Sequence, residues 1–188
     1  MRLRLRLPAA CRGELVHAIL ERLWVGGWAA LNDDCAVLRR LRITHVVSVV
    51  SAEVPRSMPA FVLRHLHVVC SDTEGALLAD AFPVVSRFLD DALEGGGRAF
   101  VHCGAGISRA PTAVIAFFIW KRKLPFDAAF NLVKAARPTC RPNKGFVRQL
   151  QLWAEEQEAR PAQQGPREAR PADTGRRVAT FRCRGAAV

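Results

Sequence analysis

Residues 102–109, His-Cys-Gly-Ala-Gly-Ile-Ser-Arg, place a nucleophilic thiol among groups that bind an anion. An apolar run precedes this segment and a helix-like run over residues 110–123 follows it, so the segment is predicted to connect a strand to a helix. In such a loop the free N–H groups and the positive end of the helix dipole converge, and they favour the thiolate form of Cys103. The pattern predicts attack of this thiolate on a bound phosphoryl group.

The remainder of the segment is suited to hold the phosphate. Arg109 lies six residues after Cys103 and can bind two phosphate oxygens with its planar guanidinium. Glycines let the backbone approach the ligand closely, and the predicted phosphate-binding residues are Gly104, Ala105, Gly106, Ile107, Ser108 and Arg109. The alternative is that Cys103 is a buried structural cysteine in an ordinary strand-to-helix turn.

Cleavage of a phosphate ester also needs a proton donor for the leaving oxygen, and Asp72 is the candidate. It opens a polar loop after an apolar strand, 31 residues before Cys103. As a general acid it would protonate the leaving oxygen, and as a general base it would then deprotonate the hydrolytic water. Glu74 is the competing carboxylate, and a solvated turn or helix-capping residue is the alternative role for Asp72.

These residues resemble the Cys-x5-Arg loop of the protein tyrosine phosphatase superfamily, and the loop with its following helix is most similar to the dual specificity phosphatases. Segments 19–30 and 43–49 are similar to two early strands of that family, and segment 137–146 resembles its Arg-Pro…Pro-Asn-x-Gly-Phe segment. The resemblance covers residues 17–156 and implies a small atypical member. It implies Cys103 as nucleophile, Arg109 as phosphate clamp and Asp72 as general acid and base, with supporting roles for His102 and Asn143.

Two residues beside the nucleophile carry separate predictions. Because neighbours on a strand alternate faces, His102 is predicted to point away from Cys103 and to order the loop rather than act as a base. At position 110 most members of the resembled family carry Ser or Thr, whose hydroxyl assists breakdown of the phosphoenzyme. This chain has Ala110 there, which predicts normal formation but slow hydrolysis of the intermediate.

The order of elements predicts an α/β fold with a central mixed, mostly parallel sheet flanked by helices, as in protein tyrosine phosphatases. Predicted strands at 23–25, 45–50, 61–69 and 99–101 alternate with predicted helices at 79–93, 110–123, 126–136 and 143–157. The 188 residues suit one domain with tails. We predict a basic arm over 1–13, a catalytic domain over 14–160 and a disordered basic tail over 161–188.

Charge and cysteine content limit the choice of partner and compartment. Of the net charge of +11, residues 1–13 hold +4 and residues 161–188 hold another +4, which leaves +3 for the middle. A nucleic-acid-binding core is therefore not predicted, and no apolar run is long enough to span a membrane.

The six cysteines form no zinc-binding CxxC pattern, so no metal and no cofactor is predicted. A thiolate enzyme needs a reducing compartment, the cytosol or nucleus, while the Arg-rich start leaves mitochondria open.

The predicted function is hydrolysis of phosphotyrosine and phosphoserine/threonine in a phosphoprotein, of which a protein kinase is one candidate, by a monomeric enzyme. The chain contains no tyrosine, and the resemblance implies a shallow pocket. An RNA 5′-triphosphatase of the same fold and a phosphopeptide-binding pseudophosphatase are the alternatives. A disulfide between Cys70 and Cys103 is a further possibility, with a plain core cysteine as its alternative.

Overall fold

A six-stranded sheet forms the centre of the computed structural model, which describes residues 15–51, 58–159 and 177–184. The strands are β1 (Val16–Leu20), β2 (Leu23–Gly27), β3 (His45–Val50), β4 (Arg64–Val69), β5 (Ala99–Cys103) and β6 (Arg177–Arg182). The helices are α1 (Asn32–Arg40), α2 (Phe82–Glu94), α3 (Arg109–Arg122), α4 (Phe126–Ala136) and α5 (Lys144–Ala159), with short 3-10 helices at Trp28–Leu31 and Leu78–Ala81.

The strands lie in the order β1-β2-β5-β3-β4-β6, and β1 alone among them runs antiparallel to its neighbour. Every residue of β2, β3 and β5 is buried, as expected of parallel strands that are covered on both faces. The predicted mixed, mostly parallel sheet flanked by helices is confirmed. The carboxyl ends of β2 and β5 lie side by side, with Gly27 paired to Cys103.

Alternate residues of the strands belong to two hydrophobic clusters, which lie on opposite faces of the sheet. Val25, Val47 and Val101 pack with α2, α3, α4 and α5 on the face that we call the helix side. Trp24 and Val46 pack with α1 on the other face. Because the side-chain period of a strand is two, consecutive residues at the end of β5 are delivered to different environments.

Helix α3 is buried along most of its length and fixes the position of the loop before it. Residues 110–119 are all buried, which is typical of a helix that neighbours surround on every side. The indole N–H of Trp153 on α5 donates to the carbonyl of Ala116 at 3.2 Å and ties the two helices together. The loop between β5 and α3 is therefore held at both ends by fully packed elements.

The predicted element bounds were most accurate where the apolar pattern was long. The predicted bounds of β3 and α4 agree with the structure. β5 ends two residues later than predicted, at Cys103, and α3 begins one residue earlier, at Arg109. The strand predicted from residue 61 begins at Arg64, and the helix predicted from residue 79 begins as a 3-10 turn. The strand β1 and the short helix α1 were not predicted as separate elements. None of the helices in the described residues is both long and apolar enough to cross a membrane.

The sixth strand corrects the prediction of a disordered tail over 161–188. Residues 177–182 run parallel to β4, with His65 opposite Val178 and Val69 opposite Arg182. Prediction from the composition of the whole tail overlooked the local run Val178-Ala179-Thr180-Phe181, whose β-branched and aromatic residues suit a strand at the open edge of a sheet. The predicted arm over 1–13 and the rest of the tail lie outside the described residues.

Candidate active site

Cys103 ends β5 on the helix side of the sheet, where its side chain is 1% exposed. The backbone N–H of Gly106 donates to its sulfur at 3.2 Å. An amide that points at a sulfur from three residues along the chain closes the backbone into a tight loop. The loop thus forms around the thiol, as the sequence predicts.

The carbonyl groups of the loop are all turned outwards. Those of residues 104–107 each accept a hydrogen bond from outside the loop, with N···O distances of 2.7 Å from Trp28 N, 3.1 and 2.6 Å from the guanidinium of Arg137, and 2.8 Å from Arg141 N. In a planar peptide the N–H points opposite to the carbonyl. Turning the carbonyls outwards therefore directs the amides towards the centre of the loop, where an anion would bind.

Gly106 is required by both conformation and space. Its φ of +69° lies in the left-handed region, and a Cβ there would lie 2.4 Å from the backbone carbonyl of Gly26 in β2. Gly104 differs, because the closest atom to a Cβ at that position is Nη2 of Arg109 at 3.5 Å. Only the second of the two predicted loop glycines is thus fixed by sterics.

Arg137 is a loop-supporting residue that was not predicted from the sequence as part of the site. It follows α4, is 6% exposed, and donates from Nε to Gly106 at 2.6 Å and from Nη2 to Ala105 at 3.1 Å. Its Nη1 lies 2.7 Å from Nδ1 of His17, which must accept because the guanidinium only donates. Burial lowers the pKa of Arg137, and the nearby Cys103 offsets only part of this effect. The signal was available in the Arg-Pro segment at 137–138, but its target lies 31 residues away in sequence.

Arg109 lies at the first position of α3, at the mouth of the loop, and its side chain is 13% exposed. Its Nη1 donates to the carbonyl of Cys70 at 3.0 Å, and its Nε lies 3.5 Å from Oδ2 of Asp72. The guanidinium is therefore held between the nucleophile's loop and the loop after β4. This position suits a group that binds phosphate oxygens above the thiol.

Asp72 is brought to the same place by three side chains of the site. Its Oδ1 accepts hydrogen bonds from Ser108 Oγ at 2.6 Å and Asn143 Nδ2 at 3.0 Å, and its side chain is 33% exposed. The competing Glu74 is directed elsewhere, since it pairs with Arg148 on α5 at 3.6 Å. Of the two carboxylates considered from the sequence, Asp72 is the one that contacts Arg109.

Asn143 links the site to the start of α5. Its Oδ1 accepts the N–H of Phe146 at 2.9 Å, which is the hydrogen bond of a helix-capping residue. Its backbone N–H donates to Ser108 Oγ at 3.2 Å, and its Nδ2 reaches Asp72. One side chain therefore caps a helix and contacts the carboxylate of Asp72.

His102 points to the face opposite Cys103, as strand alternation predicts. Its ring stacks on Phe100 at 5.5 Å between centroids, and its Nε2 lies 2.6 Å from Ser48 Oγ. Ser48 Oγ also lies 2.8 Å from Nε2 of His65. Burial lowers the pKa of His65 and of His102 to about 4, so both rings are neutral near pH 7.

The direction of this hydrogen-bond chain follows from its last acceptor. Nδ1 of His102 lies 3.4 Å from the carbonyl oxygen of Cys103, which can only accept, so Nδ1 carries the proton. The other nitrogen, Nε2, must then accept from Ser48, and Ser48 in turn accepts from His65. Ser48 and His65 were not predicted from the sequence because they lie within apolar strands and carry no local signal. Among the described residues, no group of three or more His, Cys, Asp or Glu side chains is arranged to hold a metal ion.

Ala110 lies directly behind the loop and is fully buried. It offers no hydroxyl to the sulfur of Cys103. The hydroxyl of Thr112, two residues further along α3, donates to the carbonyl of Ser108 at 2.8 Å. Thr112 therefore does not replace the hydroxyl that is missing at position 110.

Comparison with known proteins gives a consistent result. A family model described as "Dual specificity phosphatase, catalytic domain" matches residues 23–156. Dual specificity protein phosphatase 1 of Arabidopsis thaliana is 34% identical over 148 residues, which are 78% of this chain and 73% of that protein.

Solved structures agree with the sequence relatives. The structure of human DUSP28 is similar with a TM-score of 0.72 and 26% identity, over 80% of this chain and 100% of that one. The human tyrosine phosphatase-like serine/threonine/tyrosine-interacting protein is similar with a TM-score of 0.71 and 29% identity, over 77% of this chain and 98% of that one. The matched family residues include β2 to β5 and end before β6.

Proposed function

The chain belongs to the dual specificity phosphatase family, and we propose that it hydrolyses phosphotyrosine and phosphoserine/threonine esters through a cysteinyl-phosphate formed on Cys103. Family membership makes it a protein phosphatase, whose substrates are phosphoproteins. The residues and the mechanism are our assignment. The observation that carries it is the ring of outward carbonyls on residues 104–107, which leaves the amides directed at the centre of the loop, with that of Gly106 on the Cys103 sulfur.

Binding comes first in the proposed reaction. The amides of residues 105–108 and the guanidinium of Arg109 hold the non-bridging phosphate oxygens, where they also stabilise the charge of the transition state. The Cys103 thiolate then attacks phosphorus in line with the ester oxygen. The S–P bond forms as the P–O bond breaks, and Asp72 gives its proton to the leaving oxygen.

The second half of the reaction regenerates the Cys103 thiolate and the protonated Asp72. Asp72, now a carboxylate, takes a proton from a water that attacks phosphorus, and the S–P bond breaks to release inorganic phosphate. The departing sulfur is stabilised by the Gly106 amide at 3.2 Å. Because Ala110 adds no further donor, we infer that this half limits the turnover.

The phosphate loop favours a singly phosphorylated residue as substrate. Positions 104–108 carry no Lys, Arg or His, so no extra cation is placed there for a second phosphate. A protein kinase is one candidate substrate. We further propose a monomeric enzyme in the cytosol or nucleus, because the thiolate needs a reducing compartment, and an N-terminal mitochondrial signal remains the alternative.

A phosphopeptide-binding protein with slow turnover is the second candidate function. Ala110 favours it, and one structural neighbour is described as a tyrosine phosphatase-like interacting protein. The presence of Cys103, Arg109 and Asp72 together favours the enzyme. An RNA 5′-triphosphatase of this fold would draw its support from the basic ends of the chain.

The deciding experiment is hydrolysis of p-nitrophenyl phosphate and of phosphotyrosine and phosphothreonine peptides. The unmodified protein is expected to release phosphate, Cys103→Ser to release none, and Asp72→Asn to retain peptide binding with turnover reduced by about 10²- to 10⁴-fold. A triphosphorylated RNA tested in parallel separates the third candidate. Activity that survives Cys103→Ser would refute the mechanism, and tight peptide binding without turnover would favour the second candidate.

A further inference from the structure

Two cysteines lie side by side where β6 joins the sheet. β6 pairs in parallel with β4, with Val69 opposite Arg182, so the next residues of the two strands, Cys70 and Cys183, are neighbours across the pair. The N–H of Cys183 donates to the carbonyl of Val69 at 3.1 Å, which continues the register beyond the paired residues. Both side chains are buried in the helix-side cluster and therefore point to the same face.

We propose that Cys70 and Cys183 form a dithiol site that hydroperoxides oxidise to a disulfide, which fastens β6 to the start of the loop that carries Asp72. Neighbouring strands lie about 4.8 Å apart, within the range of about 4.4–6.8 Å that a disulfide spans between Cα atoms. The spacing of the two strands is therefore compatible with a disulfide between these residues. The proposed nucleophile Cys103 is a separate thiol, and only the consequence for the Asp72 loop rests on the proposed function.

Cys70 is the thiol that reacts first. The neighbouring Cys183 thiol, as a hydrogen-bond partner, lowers the pKa of Cys70 with help from the charge of Arg109, although burial opposes it. As a neutral thiol, Cys70 donates to the carbonyl of Ser71 at 3.5 Å. The same contact, together with burial, raises the pKa of Cys183, which stays protonated. Since the thiolate is the form that attacks an oxidant, the pair has one reactive thiol and one resolving thiol.

The oxidation proceeds in two balanced steps. The Cys70 thiolate attacks a peroxide oxygen, so that an S–O bond forms, the O–O bond breaks, and the departing oxygen takes a proton from solvent. The Cys183 sulfur then attacks the Cys70 sulfenic acid: the S–S bond forms, the S–O bond breaks, and the hydroxyl leaves with the thiol proton as water. Two electrons pass to the peroxide. Because β6 is a short strand at the edge of the sheet, we expect its local opening to admit the oxidant to the buried sulfurs.

Further contacts show what the disulfide would hold in place. Leu77 lies in the segment that connects Asp72 to α2, and its N–H donates to the carbonyl of Arg184 at 3.2 Å. Arg184 also donates to the Asp80 carboxylate from its backbone N–H at 3.1 Å and from its guanidinium at 3.0 and 2.7 Å. The residues that directly follow β6, Cys183 and Arg184, therefore contact both the start and the end of the loop that carries Asp72. A disulfide would make the first of these attachments covalent.

Peptide mapping of the full chain tests the proposal. The protein is treated with hydrogen peroxide, alkylated without reductant and digested with trypsin, which places Cys70 on peptide 65–87 and Cys183 on a dipeptide with Arg184. We expect oxidation to attach the dipeptide to peptide 65–87 and dithiothreitol to release it. Attachment of peptide 65–87 to the Cys103 peptide 99–109 would instead mean that Cys70 pairs with the nucleophile, and would overturn the proposal.

Matched variants separate the pair from other thiols. Cys183→Ser is expected to abolish the cross-link. Cys140→Ser is the matched control, because Cys140 is equally buried but burial raises its pKa to about 11, which keeps its thiol protonated. The cross-link is therefore expected to form in this variant. In the unmodified protein, amide exchange in β6 should slow at least tenfold on oxidation. Oxidation of Cys103 to the sulfinic acid without any link at Cys70 would overturn the proposal even if a serine variant fails to fold. All readouts are independent of phosphatase activity, so they stand apart from a failure of the proposed function.

Discussion

Replacing Ala110 with serine is predicted to accelerate hydrolysis of the cysteinyl-phosphate. In the structure the Cys103 sulfur accepts a hydrogen bond from the Gly106 amide at 3.2 Å, and the buried Ala110 behind the loop adds none. A serine hydroxyl would supply a second donor to the sulfur as it leaves. A hydrogen bond to a charged group contributes about 1.5–3 kcal/mol, which corresponds to about 10- to 150-fold in the rate of that step.

Rapid mixing with p-nitrophenyl phosphate measures the two halves of the reaction separately. The unmodified enzyme is expected to release a burst of nitrophenol close to one equivalent and then turn over slowly, because the phosphoenzyme accumulates. Ala110→Ser should shrink the burst and raise the steady-state rate. Ala113→Ser is the control, since Ala113 is also buried in α3 but lies beyond the loop. An Ala110→Ser protein that melts at the same temperature yet keeps the same burst and turnover would refute this reasoning.

The loop glycines, the buried arginine and the buried histidines give three further predictions. Gly106→Ala should abolish p-nitrophenyl phosphate hydrolysis, because its Cβ would lie 2.4 Å from backbone, while Gly104→Ala, with 3.5 Å to the closest atom, should keep most of it; equal losses would contradict the steric argument. Arg137→Met leaves the carbonyl of the buried Gly106 unsatisfied, at about 1–3 kcal/mol, and removes the donor of the exposed Ala105. Urea denaturation should therefore show a loss of about 1–3 kcal/mol and vanadate should inhibit more weakly; unchanged vanadate inhibition would count against its role. Burial lowers the pKa of three histidines to about 4, so the unfolded chain, with pKa values of about 6.5, binds more protons between these limits. The residues concerned are His45, His65 and His102. Their contribution to the free energy of unfolding is complete above about pH 6.5 and falls as the pH drops towards 4, by up to about 3 kcal/mol per histidine. A free energy of unfolding that stays constant from about pH 6.5 to 5 would contradict this.

The sequence predicted those parts of the site that depend on local spacing. The strand, loop and helix around Cys103 are contiguous, so hydrophobic periodicity and two glycines were enough to place the thiol and Arg109 together. Asp72 became a candidate because it opens a polar loop after an apolar strand, and the resemblance to the phosphatase family favoured it over Glu74. The direction of His102 followed from the same alternation.

Residues whose partners are distant in sequence could not be assigned in this way. Arg137 supports carbonyls 31 positions earlier, and Ser48 meets His102 across 54 positions. Each is one polar residue whose role exists only after the sheet and helices have packed. β6 was missed for a related reason, because its six-residue register with β4 depends on an edge of the sheet that composition does not reveal.

The contact between Asp72 and Arg109 suggests how the site changes when phosphate arrives. In this structure the guanidinium of Arg109 lies 3.5 Å from the Asp72 carboxylate, which also accepts from Ser108 and Asn143. A phosphate dianion is the stronger partner for a guanidinium because it offers two oxygens to a bidentate fork. Binding would therefore turn Arg109 from the carboxylate to the phosphate, leaving Oδ2 of Asp72 as the oxygen that can carry the transferred proton. Ser108 and Asn143 would keep Oδ1 in place during this exchange, so the residues that hold Asp72 in the free enzyme are also those that aim it at the leaving oxygen.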